Sequence, residues 1–159
     1  MRYLPIVGAA GLVVLLGVSA ASADPIDDRA SDLLPWVARK TGYSADHVKV
    51  TVLFVAPQTI NLIAYRFTKD GDPQPEAITA GATVFLPTWF ELGKNDDILV
   101  HELTHVLQSA NDSKFRCRAE QEKQAYEVQS AFVDETGIGK KPDAFALFML
   151  RCTAYAVQY

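Results

Sequence analysis

Three histidines and two cysteines are all that this chain of 159 residues offers as ordinary transition-metal ligands and thiols. Neither cysteine belongs to a Cys-x-x-Cys pair, which argues against a thiolate metal site or a redox motif. Basic residues are scattered, and Lys140-Lys141 is too short a run to be more than a solvated loop. With 15 Lys+Arg against 19 Asp+Glu, the formal net charge is −4. Nothing here would neutralise a phosphate backbone, so no nucleic-acid partner is expected. Internal repeats and low-complexity segments are missing as well.

Only one long hydrophobic run occurs, and it lies at the start. Arg2 precedes an apolar stretch from Leu4 to Val18, and Ala21-Ser22-Ala23 then supplies a small-x-small cleavage site. The stretch is short of the roughly 20 apolar residues that a membrane-spanning helix needs. No cysteine follows it directly, so a lipid anchor is not expected. Residues 1–23 therefore read as a signal peptide, and residues 24–159 as one exported domain, periplasmic or secreted, with no membrane span after cleavage. In such a chain the even pair Cys117 and Cys152 reads as one disulfide. Closing that span would stabilise the fold by about 4 kcal/mol on the chain-entropy estimate.

Against this sparse background, the segment Val100-His101-Glu102-Leu103-Thr104-His105-Val106-Leu107-Gln108 carries a chemistry. Two of the three histidines lie four residues apart and flank a carboxylate. On a helix that step turns about 400° and rises about 6 Å, so both imidazoles share one face and can grip one metal ion. Glu102 then lies beside the metal, placed to act as base towards a water held there. Random placement of so few histidines and glutamates would produce the pattern in only about 0.2% of such chains. With His101 set at 0°, His105 falls at about 40° and Gln108 at about 340°, whereas Leu99, Val100, Leu103, Val106 and Leu107 fall between about 140° and 260°. The helix should bury its aliphatic face and turn its histidines towards an opening. Asn95-Asp96-Asp97 upstream offers N-cap oxygens and suits the helix dipole.

Elsewhere the pattern predicts a helix over Asp27–Thr41, stopped by Gly42 and open to a kink at Pro35. A strand is expected over His47–Ala56, with Gln58–Thr68 ambiguous between a strand and a short helix. Lys69–Pro75 reads as a turn, and Ala82–Leu86 as a short strand before Thr88–Gly93 leads into the motif helix. Ala110–Lys114 is a polar loop. Phe115–Thr136 reads as a second long helix ended by Gly137 and Gly139. A third is expected over Pro142–Val157, with Phe145, Phe148, Met149, Cys152 and Ala156 on one face. Strands and helices are segregated, so the fold class is α+β.

Two histidines do not complete a catalytic zinc site, which takes three protein ligands. No histidine follows His105, and His47 lies far upstream, where a turn or surface role fits it better. The candidates are therefore the acids Glu120, Glu122, Glu127, Asp134 and Glu135. With Glu122 at 0°, Tyr126, Val133, Ala119, Ala125 and Phe132 all fall within about 80° of it. Glu120 and Glu127 fall about 140° to 160° away, among polar side chains. A carboxylate on an apolar face calls for a cation, so Glu122 is the expected third ligand and Glu127 the reserve.

His101-Glu102-x-x-His105 followed by a helix bearing Glu122-x-x-Ala125-Tyr126 resembles the gluzincin metallopeptidases, in particular their small, minigluzincin-like members. The resemblance covers residues 82–136. It implies a small zincin-like domain with Zn2+ held by His101, His105 and Glu122, and Glu102 as general base in hydrolysis of a peptide or protein substrate. It also implies that Ala82–Leu86 forms the upper rim of the substrate cleft. Two positions depart from the pattern. Where related members carry an aspartate that orients a zinc-binding histidine, this chain has Tyr126, whose hydroxyl would do so less strongly. No downstream His or Arg motif serves an oxyanion, leaving Tyr126, Tyr155 and the Gln58–Thr68 segment as candidates. Two rival readings are a zinc-stabilised binding or assembly module without turnover and a zinc amidase acting on a non-peptide, cell-wall-type amide. An intact Glu102 argues against the first, because a structural site needs no base.

Overall fold

Leu33, Leu34 and Val37 lie on one side of the first helix and are buried, while Asp28, Ser31, Asp32 and Pro35 face outwards. That spacing produces α1 (Asp24–Thr41), which begins earlier than the periodicity suggested and runs unbroken through Pro35. The missing N–H of Pro35 falls on the solvent side, where the freed carbonyl meets water and the apolar stripe keeps its packing. The computed structural model describes residues 24–64, 74–143, 147 and 150–152. The expected signal peptide, the turn residues 69–73, Tyr155 and most of the expected Pro142–Val157 helix lie outside the described residues.

After α1 come β1 (Thr51–Val55), α2 (Pro57–Ala64), β2 (Ile78–Ala80), β3 (Thr83–Pro87), α3 (Asp96–Ala110) and α4 (Arg118–Thr136). The sheet has the order β1-β3-β2, with β1 parallel to β3 and β2 antiparallel to it. The architecture is α+β, as the segregation of elements suggested.

Several expectations shift. His47 does not open a strand: it sits exposed in a turn with φ 62°, and β1 begins four residues later. The described part of the ambiguous segment is helical, as α2. The fourth helix begins at Arg118 rather than Phe115, with extended Cys117 at its N-cap. β2 was not expected at all, since three residues are too few to show an alternating pattern.

The core joins Ile26, Ala30 and Val37 of α1, Val52, Val84 and Leu86 of the sheet, and Leu99, Leu103 and Leu107 of α3 to Val128 and Phe132 of α4. α3 is the hub. Its aliphatic face is buried as predicted, but the opposite face is covered too, because α4 packs over the histidines and β2 over Glu102. Arg29 binds Asp96 at 2.6 and 2.8 Å, locking α1 to the start of α3. Among the described residues no helix is long and apolar enough to cross a membrane.

Cys117 and Cys152 are joined in a disulfide with Cα atoms 5.7 Å apart, as their even number suggested. The bond ties the C-terminal segment to the N-cap of α4. Replacing Cys117 with serine should lower unfolding free energy by about 2–4 kcal/mol. Denaturant titration against the oxidised native protein measures it, with the reduced native protein expected to match the variant, and a midpoint equal to that of the oxidised protein would dismiss the clamp.

Candidate metal centre

The start of α3 corrects one local expectation. None of Asn95, Asp96 or Asp97 caps the helix with its side chain. Asn95 Oδ1 accepts from Glu91 N, and Asp96 Oδ1 accepts from Gly93 N. Asp96 is fully buried, so its charge is met by Arg29 rather than by free helix N–H groups. Asp97 Oδ2 accepts from Gln129 Nε2 at 3.0 Å and Lys140 N at 3.1 Å.

One turn further, His101 and His105 face each other edge-on with their Nε2 atoms 3.2 Å apart. Glu122 Oε2 reaches in from α4, 3.4 Å from His101 Nε2 and 3.3 Å from His105 Nε2. These three groups could hold a metal ion. Their geometry can be tested against one. Zinc with bonds of about 2.0–2.1 Å in a tetrahedron requires ligand atoms roughly 3.3 Å apart. The observed triangle has edges of 3.2, 3.3 and 3.4 Å. The donor set fits.

The far side of each ring explains why the lone pairs converge. His101 Nδ1 lies 3.2 Å from Gln129 Oε1, and His105 Nδ1 lies 2.7 Å from Gln108 Oε1. Gln108 in turn donates to Gln124 Oε1 and to the Gln121 carbonyl, while Tyr43 donates to Gln124 from the other side. An amide oxygen only accepts, so each Nδ1 carries a proton, and in the neutral ring Nε2 is the nitrogen left free to bind a metal beside Glu122. The expected role of Tyr126 changes accordingly. Its ring lies 4.4 Å from that of His101, but glutamines make the hydrogen bonds that orient the histidines.

Of the other acids considered, none joins the triad. Glu127 is exposed and lies 3.7 Å from Lys123, and Glu120 pairs with Arg116. Asp134 pairs with Lys141, and Glu135 with Lys40 and Trp36. The buried stripe of α4 is Ala125, Val128, Gln129 and Phe132. Its centre lies about 70° from Glu122, which therefore stands at the rim of that face rather than in its middle. Arg118 Nε holds the other carboxylate oxygen, Oε1, at 3.3 Å.

Glu102 is buried, and Thr79 Oγ1 lies 2.7 Å from its Oε2 and 3.2 Å from its backbone carbonyl. Thr79 belongs to β2, which is an edge strand, whereas β3 lies between two neighbours. The strand that touches Glu102 is thus β2, an element the sequence pattern did not reveal. Of the residues not foreseen, Gln108 could have been found, since it already fell on the histidine face of the helical wheel. Gln129, seven residues after Glu122, shares its side of α4 in the same way. Thr79 and Arg118 left no comparable signal.

Electrostatics bind the cluster together. Burial works against a charge on His105, but the Glu122 hydrogen bond and the fields of Glu102 and Glu122 overcome it, pushing its pKa up to about 9. Burial likewise opposes the Glu122 carboxylate, yet the two histidines hold its pKa well below the usual range. Burial first, then Glu122, Glu102 and Glu76, raises the Tyr126 phenol.

A family model described as "Domain of unknown function (DUF6647)" matches residues 22–157. No curated protein and no solved structure matches the chain.

Proposed function

With that match spanning most of its length, the chain belongs to the DUF6647 family, and we propose that it is an exported zinc metallopeptidase of the gluzincin kind. The supporting observation is the near-equilateral triangle of His101 Nε2, His105 Nε2 and Glu122 Oε2 beside the buried Glu102. Export is supported by the charge, apolar run and small-residue site at residues 2–23 and by the disulfide.

Zinc at such a site lowers the pKa of water towards about 7 and polarises a carbonyl. Glu102 takes the proton from the attacking water and delivers it to the departing amine nitrogen, so one water is consumed per bond cleaved. Thr79 keeps that carboxylate in place. Tyr126 packs on His101, and its raised pKa keeps the phenol protonated at neutral pH. It is the group we assign to hydrogen-bond the carbonyl oxygen as negative charge develops there. The test is a peptide library incubated with zinc-loaded protein, read by mass spectrometry. Chelator-sensitive cleavage is expected, and its absence with zinc fully bound would reject the peptidase reading.

Metal binding should also depend on pH in a stated direction. Without metal, His105 holds a proton at neutral pH, and that proton must leave before Nε2 can bind zinc. Apparent zinc affinity should therefore rise about tenfold per pH unit from near neutrality to about pH 9. The metal-free fold should behave oppositely. A histidine whose pKa is raised from 6.5 to about 9 contributes stability fully below 6.5, which is lost as pH rises through about 9. Calorimetry after chelation should show Tm declining across that window. A flat Tm would mean that His105 is neutral throughout.

A further inference from the structure

Groups outside the triad decide which nitrogen of His101 is free. Gln129 can present either its oxygen or its NH2 to His101 Nδ1, and the two choices have opposite consequences. If the oxygen faces the ring, Nδ1 is protonated and Nε2 has a lone pair for the triad. If the NH2 faces the ring, Nδ1 becomes the acceptor and the proton moves to Nε2, where it blocks ligation. Two groups behind Gln129 remove the ambiguity. Asp97 Oδ2 lies 3.0 Å from Gln129 Nε2, and the Lys140 carbonyl lies 3.4 Å from it. Both can only accept, so both require the NH2 on their side.

The Lys140 backbone also donates its N–H to Asp97 Oδ2 at 3.1 Å. Gly139, with φ 85°, lies against the same carboxylate, and a Cβ there would collide with it. Asp97, Gln129 and His101 are all buried, so water does not readily substitute for these partners. The segment that follows α4 thus forms the back wall of the site.

We infer that Asp97 and the Gly139-Lys140 turn are positioning elements for His101: they lock the Gln129 amide in the one orientation that leaves His101 Nε2 able to bind metal. The inference rests on the zinc reading above and deepens it. Two measurements separate their fates. Nitrogen NMR of the imidazoles in metal-free protein reports which nitrogen of His101 carries the proton. Competition with a chelator reports zinc affinity.

Native protein should show Nδ1–H at His101. Asp97→Ala and the near-isosteric Gln129→Met should give a mixture of both tautomers and weaken zinc binding about 10- to 100-fold. Asp97→Asn keeps an oxygen that can accept from both Gln129 and Lys140, and should stay within about threefold of native, as a rescue that mere loss of charge would not give. Gly139→Ala should resemble Asp97→Ala. Should Asp97→Ala fail to fold, Gln129→Met decides the matter. Native-like tautomer and affinity in Gln129→Met would overturn the inference. Native protein that binds no zinc would instead sink the metallopeptidase reading, and the NMR result would still judge the lock.

Discussion

Glu102→Gln is expected to bind zinc as the native protein does and to lose hydrolysis by roughly three orders of magnitude, within the 10²–10⁴-fold usually supplied by one general base. The substitution is nearly isosteric, and Glu102 is not one of the three converging groups. Thr79 can still donate to the amide oxygen, so the local packing survives. What disappears is the ability to accept and return a proton at that position. Zinc stoichiometry by mass spectrometry and turnover on the best library peptide test the two halves separately. A variant with full activity would remove Glu102 from the mechanism. One that lost zinc along with activity would show that Glu102 builds the site rather than serving it.

The second large effect separates two glutamates on one helix. Glu122→Gln should weaken zinc binding by at least about 10-fold, since loss of a direct ligand should exceed even the effects of the groups that orient the ligands. An amide oxygen can still coordinate, but it carries no charge, and the pairing with both histidines is lost. Glu127→Gln should leave affinity unchanged, because that carboxylate is exposed beside Lys123 and outside the triad. Chelator competition on the two variants settles the point. Equal losses would indicate a long-range charge effect, and the reverse order would mean that α4 presents a different face.

The two histidines and Glu102 could be read from sequence because helical spacing alone puts His101 and His105 on one face. Glu122 could be selected by the same arithmetic, although the reason was only partly right. It stands at the rim of the buried stripe and reaches across to α3, a distance that a wheel diagram does not contain. The orienting glutamines were harder. Gln108 and Gln129 are ordinary helix formers in composition, and their value lies in partners from other elements. Asp97 looked like a helix cap because local rules assign short acids to that task. Tertiary contacts took it instead, since a buried carboxylate binds whichever donors surround it. β2 left no periodic trace, and with it went Thr79, the hydrogen-bond partner of Glu102.

The strand order β1-β3-β2 constrains how this sheet comes into being. The first two strands to be made are its two edges, and they do not bond to each other. Each waits for Thr83–Pro87, the last strand made, to enter between them. The β2–β3 hairpin across Gly81-Ala82 can form as soon as Phe85 exists, but the parallel β1–β3 pair closes a loop of about 30 residues, an entropic barrier that the hairpin avoids. Until that pair closes, Leu53 and Phe54, which stay exposed even in the finished fold, sit on an unpaired strand. Slow sheet assembly, and exposure to self-association before it, are built into the connectivity of this chain.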